Sequence, residues 1–215
     1  MKKKRIFGGL LAIVATVSTY AQPREPYVTK DGFVYIDIIQ LGLDANGDIT
    51  GKSYIYILDY TGPGGAIIIP PILMGSPPTH IDKEAFFDKK LTSVTIPNGV
   101  IGIEKAAFHT NRLTNIIIPD SVIEIGEGAF MNNRLTSVTI GRGVTKIEAG
   151  AFHNNPITSI TIGAGVNFDK DAYLGYFDED GKAYRSNFVE FYNAQGRVAG
   201  TYTRPNARST NWTRK

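Results

Sequence analysis

The chain has 215 residues with 42% apolar and 20% charged composition, enough for one domain with a sizeable buried core. It contains no cysteine, which excludes disulfides, thiolate metal sites, cysteine nucleophiles and a lipidated cysteine anchor. Its 23 basic and 20 acidic residues give a formal charge of +3, but four of the basic residues are Lys2, Lys3, Lys4 and Arg5.

Those four open a stretch, Met1 to Ala21, that reads as a secretory signal: a basic start, the apolar run Ile6 to Val17, and Thr19-Tyr20-Ala21 as a cleavage site with small residues in the required places. Removing them leaves 19 basic against 20 acidic residues, so the excess of base carries no argument for nucleic acid. The apolar run is shorter than the ~20 residues that span a bilayer, and no later stretch could span one. An exported chain with no integral membrane segment after cleavage is the expectation, secreted or at the cell surface, with the periplasm as a further compartment.

Residues 22–64 are expected to form a β-rich N-terminal cap. Phe33 to Leu43 and Ser53 to Tyr60 are rich in Val, Ile and Tyr and are joined through Asn46-Gly47, a hairpin signal. Asp44-Ala45-Asn46-Gly47-Asp48 spaces oxygen ligands as a calcium loop begins. Ile49 stands where such loops need glycine and no glutamate closes the loop, so a plain polar turn is the preferred reading.

The organising signal occupies residues 65–166. Leu91 to Arg112, Leu113 to Arg134 and Leu135 to Pro156 say nearly the same thing three times with a period of 22 residues. Ala66 to Phe86 is a disguised first coil, with Ile67-Ile68-Ile69-Pro70 matching the strand and Ala85-Phe86 the return arm. Such a period marks a solenoid in which each unit is one coil and no coil buries its own apolar face. Leu91, Leu113, Leu135 and Ile157 form one apolar column, and Val94, Ile116, Val138 and Ile160 a second. Ile96, Ile118, Ile140 and Ile162 form a third, two residues on from the second and so on the same side of a short parallel strand. Pro97 and Pro119, replaced by Gly141 and Gly163, end each strand. The return arms IEKAAF, IGEGAF and IEAGAF are too short for independent helices and are expected to form single helical turns, with Phe108, Phe130 and Phe152 filling the interior. Asn111, Asn133 and Asn155 recur before each strand and are expected to fix the corner through bonds to nearby main chain.

The unit L-x-x-V-x-I-P-x-x-V-x-x-I-x-x-x-A-F-x-x-N-x resembles the BspA-like, treponemal-type leucine-rich repeat of bacterial surface proteins. The resemblance implies an α/β solenoid, a right-handed coil with short parallel strands and one-turn helices. It also implies a secreted or surface-exposed protein, several such relatives being adhesins for host matrix proteins or other cells.

After Val166 the phase is lost, and residues 167–215 are expected to be an irregular C-terminal cap with a basic tail. Asp169, Asp171, Asp178, Glu179 and Asp180 surround Tyr173, Tyr176 and Phe177 as a solvated acidic loop. Phe188 to Tyr192 and Val198 to Thr203 read as a strand or helical turn followed by a strand. Arg197, Arg204, Arg208, Arg214 and Lys215, with Tyr202 and Trp212, read as a solvated basic end or as a contact for a glycan or an anionic surface.

Nothing in the sequence argues for an enzyme or a cofactor. His109 and His153 share a phase but sit two coils apart, about 10 Å at ~4.8 Å per strand step, too far for one metal ion or proton relay. No H-E-x-x-H, G-x-S-x-G or phosphate loop is present. What remains is the outward strand face: Ser93, Asn115, Ser137 and Ser159 in one column, and Thr95, Ile117, Thr139 and Thr161 in another. Short hydroxyls lose little rotamer freedom on binding, although threonine is also simply a good exposed strand residue. The larger groups expected at the edges of this field are Arg142, His109, Met131 and His153. The function expected is protein–protein interaction with an extracellular or host surface or matrix protein. A non-adhesive structural component of the envelope is the alternative.

Overall fold

Each 22-residue unit closes into one coil that meets its neighbours through three ladders of backbone contacts. A computed structural model describes residues 25–43, 49–172 and 174–215; the signal Met1–Ala21, the turn Asp44–Asp48 and Tyr173 lie outside the described residues. The first ladder holds the strands of five coils: Gly65–Ile68, Leu91–Thr95, Asn115–Ile118, Ser137–Ile140 and Ser159–Ile162. Asn115, Ser137 and Ser159 lie in parallel register, as do Ile117, Thr139 and Thr161. Leu91–Thr95 pairs with Gly65–Ile68 in a separate two-stranded sheet, so the hydrogen-bonded sheet breaks where four continuous strands were expected. Nothing in the structure explains the break.

The second ladder is built from the short strands Pro78–Ile81, Gly102–Ile103, Glu124–Ile125, Lys146–Ile147 and Asn167–Phe168, all parallel. Its sheet continues at the N-terminal side into the antiparallel hairpin Phe33–Leu43 with Ile49–Tyr60, and then Tyr27–Val28.

The third ladder corrects the expectation of helical turns. The return arms are successive turns in which Phe86 N–H donates to the Ala107 carbonyl at 2.8 Å, Phe108 N–H to Ala129 at 2.7 Å, and Phe130 N–H to Ala151 at 2.7 Å. Each arm carries a left-handed residue at two points four apart: Ala106 and Thr110, Gly128 and Asn132, Gly150 and Asn154, all with φ between 55° and 61°. A left-handed residue stops a right-handed helix and turns the amide outward to the next coil. Only Gly128 and Gly150 adopt that backbone without steric cost.

The interior is filled as the columns require. Leu91, Leu113, Leu135 and Ile157 are buried, and Phe86, Phe108, Phe130 and Phe152 stack at centroid spacings of 4.8, 5.2 and 5.3 Å with nearly parallel rings. At the N-terminal end Phe33 and Tyr60 close the stack against Phe86. At the other end the helix Phe188–Ala194 supplies Phe188 and Tyr192, the strand Gly200–Thr203 supplies Tyr202, and Trp212 stands just before the antiparallel strand Thr213–Arg214, all four buried. Arg197, Arg208, Arg214 and Lys215 are exposed, as a solvated basic end requires, but Tyr202 and Trp212 are not part of it, because they pack edge-on against Phe188. Arg204 is buried too. Its guanidinium lies 4.9 Å from the Trp212 ring and donates to the carbonyls of Ile157 and Ser209, and burial depresses its pKa to about 10.

Candidate binding surface

The side chains of a strand alternate, so burying Val138 and Ile140 commits Ser137 and Thr139 to the outside. Ser93, Thr95, Asn115 and Ile117 are exposed; Ser137, Thr139, Ser159 and Thr161 are half-buried. Ile117 is 68% exposed, an isoleucine standing free among short polar groups. The field extends beyond the predicted residues at both ends. Gly65–Ile68 adds Ile68, 69% exposed and in register with Thr95. Strand Gly200–Thr203 lies antiparallel on Ser159–Ile162 and sets Thr201 and Thr203 opposite Thr161 and Ser159, with the Thr161 and Thr201 hydroxyls 3.0 Å apart. The alternation Thr201-Tyr202-Thr203, a large apolar residue between two hydroxyls, resembles the Ser-x-Thr of the coils and was the signal that could have found them. Arg142 is exposed just past its strand, where its N–H donates to the Asp120 carboxylate at 2.8 Å.

His109, Met131 and His153 are not at the edge of this field. They lie on the return arms, across the Asn111, Asn133 and Asn155 corner, and join a different feature. Phe87, 42% exposed, packs on His109 at 5.2 Å; Phe177, 51% exposed, packs edge-on to His153 at 6.0 Å. With Met131 between them the five form a ridge along the coil stack. A polar rail runs beside it: Asn132 Nδ2 sits 3.0 Å from His109 Nε2, Asn154 Nδ2 donates to Asn132 Oδ1 at 2.7 Å, and Phe177 N–H donates to Asn154 Oδ1 at 2.9 Å. Phe87 shares the 22-residue phase of His109 and was legible on that ground.

Burial pushes the imidazoles of His80, His109 and His153 below their ordinary value; Asp82 opposes this at His80 and Glu84 at His109. A histidine with a depressed folded pKa binds fewer protons than in the unfolded chain. Stability therefore falls as pH drops from the ordinary histidine value of about 6.5 toward the depressed one. Burial and neighbouring carboxylates raise Glu104, which works in the opposite sense once the pH nears its own range. A melting curve taken at about pH 7.5 and again at about pH 5.5 should show a lower Tm in acid, and His109→Gln with His153→Gln should flatten that slope. An acid shift of the same size in the double variant would show that the ridge histidines are not its source.

The second-ladder face carries Asp82, Glu104, Glu124 and Glu148, with Lys146 Nζ 2.5 Å from Glu124 and 2.6 Å from Glu148. Among the described residues no group of three or more His, Asp or Glu is arranged to hold a metal ion, and no helix is long and apolar enough to cross a membrane.

No curated protein matches the sequence significantly. Several solved structures resemble it at low similarity, among them the following three. The pneumococcal vaccine antigen PcpA is 15% identical, aligned over 75% of this chain and 54% of its own, with a TM-score of 0.39. A leucine-rich repeat protein from Bacteroides capillosus is 21% identical over 68% of this chain and 89% of its own, TM-score 0.36. A leucine-rich cell surface protein from Faecalibacterium prausnitzii is 20% identical over 74% of this chain and 60% of its own, TM-score 0.33. The chain thus spans about half the length of the pneumococcal antigen. Residues 72–175 match the BspA type leucine-rich repeat region in six copies, and the stacked parallel coils described above are the fold that such repeats build. Residues 72–175 are thus a BspA type leucine-rich repeat region.

Proposed function

We propose that the chain is an exported module that binds a protein of a host surface, extracellular matrix or neighbouring cell through its strand face, in the manner of an adhesin. The observation that carries this reading is the outward field itself, with Ile68 and Ile117 fully presented among short hydroxyls. Seven strands, from Gly65–Ile68 to Thr213–Arg214, give it a length of about 29 Å at ~4.8 Å per step. That is part of a standard interface of ~800 Å² per partner. The two isoleucines are the anchoring groups, Ile117 within the hydroxyl field and Ile68 at its N-terminal end, and the hydroxyls supply polar contacts beside them. With so few large side chains, one molecule binds weakly and useful attachment comes from many copies at a surface. The signal-like sequence Met1–Ala21 supports export, and the family supports a surface setting.

The test is binding to immobilised extracellular-matrix proteins before and after Ile68→Lys, Ile117→Lys and Thr139→Lys together. Thr161 is left in place because its hydroxyl meets Thr201. Binding should fall by at least about tenfold, roughly 1.4 kcal/mol, while Tm stays within about 2 °C because no core contact is lost. Binding that survives the triple change but is lost in Phe87→Ser with Phe177→Ser would move the site to the ridge and sink this reading.

A further inference from the structure

The N-terminal hairpin leaves one strand edge that is unpaired over most of its length among the described residues. Tyr27–Val28 pairs with Phe33–Leu43 only opposite Tyr35 and Val34. Pro26 precedes it, and a proline has no N–H to give to a ladder at that position. Thr29 N–H donates to the Phe33 carbonyl at 2.9 Å and Phe33 N–H donates to Thr29 Oγ1 at 3.1 Å. Phe33 therefore turns its main-chain groups toward the Tyr27–Val28 side. Alternation sends those of Tyr35, Asp37, Ile39, Leu41 and Leu43 the same way, since the register shift with Ile49–Tyr60 adds its extra residue, Leu58, on the other strand. Beyond Tyr35 that edge meets no strand among the described residues.

Two further observations set this edge apart. Ile49–Tyr60 pairs with Pro78–Ile81 only through Ile55, Tyr56 and Ile57, so outward from the Asp37–Ile55 pair the hairpin is a two-stranded ribbon. Two strands alone are marginal in water and a third is needed for independent stability. Natural edges are protected by lysine, proline or bulges. The Ile49–Tyr60 strand has Lys52, whereas the Phe33–Leu43 strand, FVYIDIIQLGL, has Asp37 as its one charge, and that carboxylate accepts a hydrogen bond from the Ser53 hydroxyl.

We propose that this edge pairs antiparallel with the same edge of a second copy, joining two hairpins into one four-stranded sheet. The strand is self-complementary, and one register pairs more of it than any other that clears Tyr27–Val28. With Gln40 on the twofold axis opposite its copy, Asp37 stands opposite Leu43, Ile38 opposite Gly42 and Ile39 opposite Leu41, and no charge meets a like charge. Sliding the pairing toward Phe33 either runs into Tyr27–Val28 or sets Asp37 against Asp37. A twofold contact of this kind is closed, so it makes a dimer and not a fibre. Seven paired residues give an edge of about 24 Å, a small contact, so the dimer forms in the micromolar range and is concentrated where copies are crowded on a surface.

Sedimentation velocity of the purified protein should show a monomer at about 1 μM passing to a dimer toward about 100 μM. Ile39→Pro removes an N–H that points away from the hairpin ladder, so it should abolish the dimer and leave the melting temperature unchanged. If that variant fails to fold, Ile39→Lys makes the same test by charge. The sequence has no cysteine, so Gln40→Cys gives an unambiguous reading of register: a non-hydrogen-bonded pair sets the two Cα atoms about 4.5 Å apart, within disulfide reach. Mild oxidation should crosslink Gln40→Cys and not Ile38→Cys. A monomer at every concentration, a dimer that persists in both position-39 variants, or crosslinking through position 38 instead of 40 would overturn the proposal.

Discussion

Asn133→Ala is expected to destabilise the protein by about 2 to 4 kcal/mol, although it removes a polar side chain no larger than leucine. The reason is what that side chain satisfies. Oδ1 accepts the Leu113 N–H at 3.1 Å, while Nδ2 donates to the Phe108 carbonyl at 2.9 Å and the Phe130 carbonyl at 3.0 Å. One amide thus bonds its own coil and the coil before it. The site is buried, with 8% exposure at Asn133 and none at Asn155 one coil later. Truncation leaves the buried Leu113 N–H without a partner, at about 1 to 3 kcal/mol, and takes one of two donors from the Phe108 and Phe130 carbonyls, which keep Asn111 Nδ2 and Asn155 Nδ2. Asn133→Asp keeps the acceptor but places a second carboxylate oxygen against two carbonyls, and should be at least as damaging. Denaturant unfolding decides the matter: a midpoint within error of the parent for both variants would mean the corner is held by the main chain alone.

Phe130→Ala is expected to cost a similar ~3 to 5 kcal/mol through a different mechanism. The ring is fully buried and stacked between Phe108 at 5.2 Å and Phe152 at 5.3 Å, so its loss opens a cavity that faces two coils. Coils in a solenoid are stabilised mainly by their neighbours. A gap in the middle coil should therefore weaken coupling between the two halves, and unfolding should broaden as well as shift to lower denaturant. Phe130→Leu should recover much of the loss because it refills volume without the ring. A variant whose midpoint and transition width both match the parent would show that the stack is not a continuous core.

The repeat was legible because its period is written in large apolar residues. Every column read from the sequence at Leu91, Val100 and Ile103, and at their counterparts in later coils, is buried. The asparagine ladder was legible for the same reason, since Asn111, Asn133 and Asn155 hold one phase and each bonds main chain on both coils. The helical reading of the return arms failed at Ala106, Gly128 and Gly150. Alanine suggests helix locally, but the amide of each is drawn out of the arm by a carbonyl of the next coil, a partner about 21 residues away. The edge role given to His109, Met131 and His153 failed because spacing along the chain says which coil a residue is in and not which of three sides it faces.

The sequence by itself determined that this protein is a stack of 22-residue coils, with its strands, its phenylalanine column and its asparagine corners at the places they occupy. These depend on periodicity, and periodicity survives in one dimension. Only the tertiary structure decided where the hydroxyl field ends and which groups stand together on the ridge. It also decided that Arg204 and Trp212, near a basic terminus, are interior residues. Those features depend on segments without the repeat, the strand Gly200–Thr203 laid on Ser159–Ile162 and the hairpin Tyr176–Phe177 with Ala183–Tyr184 folded against His153. Their placement is set by the apolar surface that the last coil leaves uncovered, which exists only once the coils have stacked.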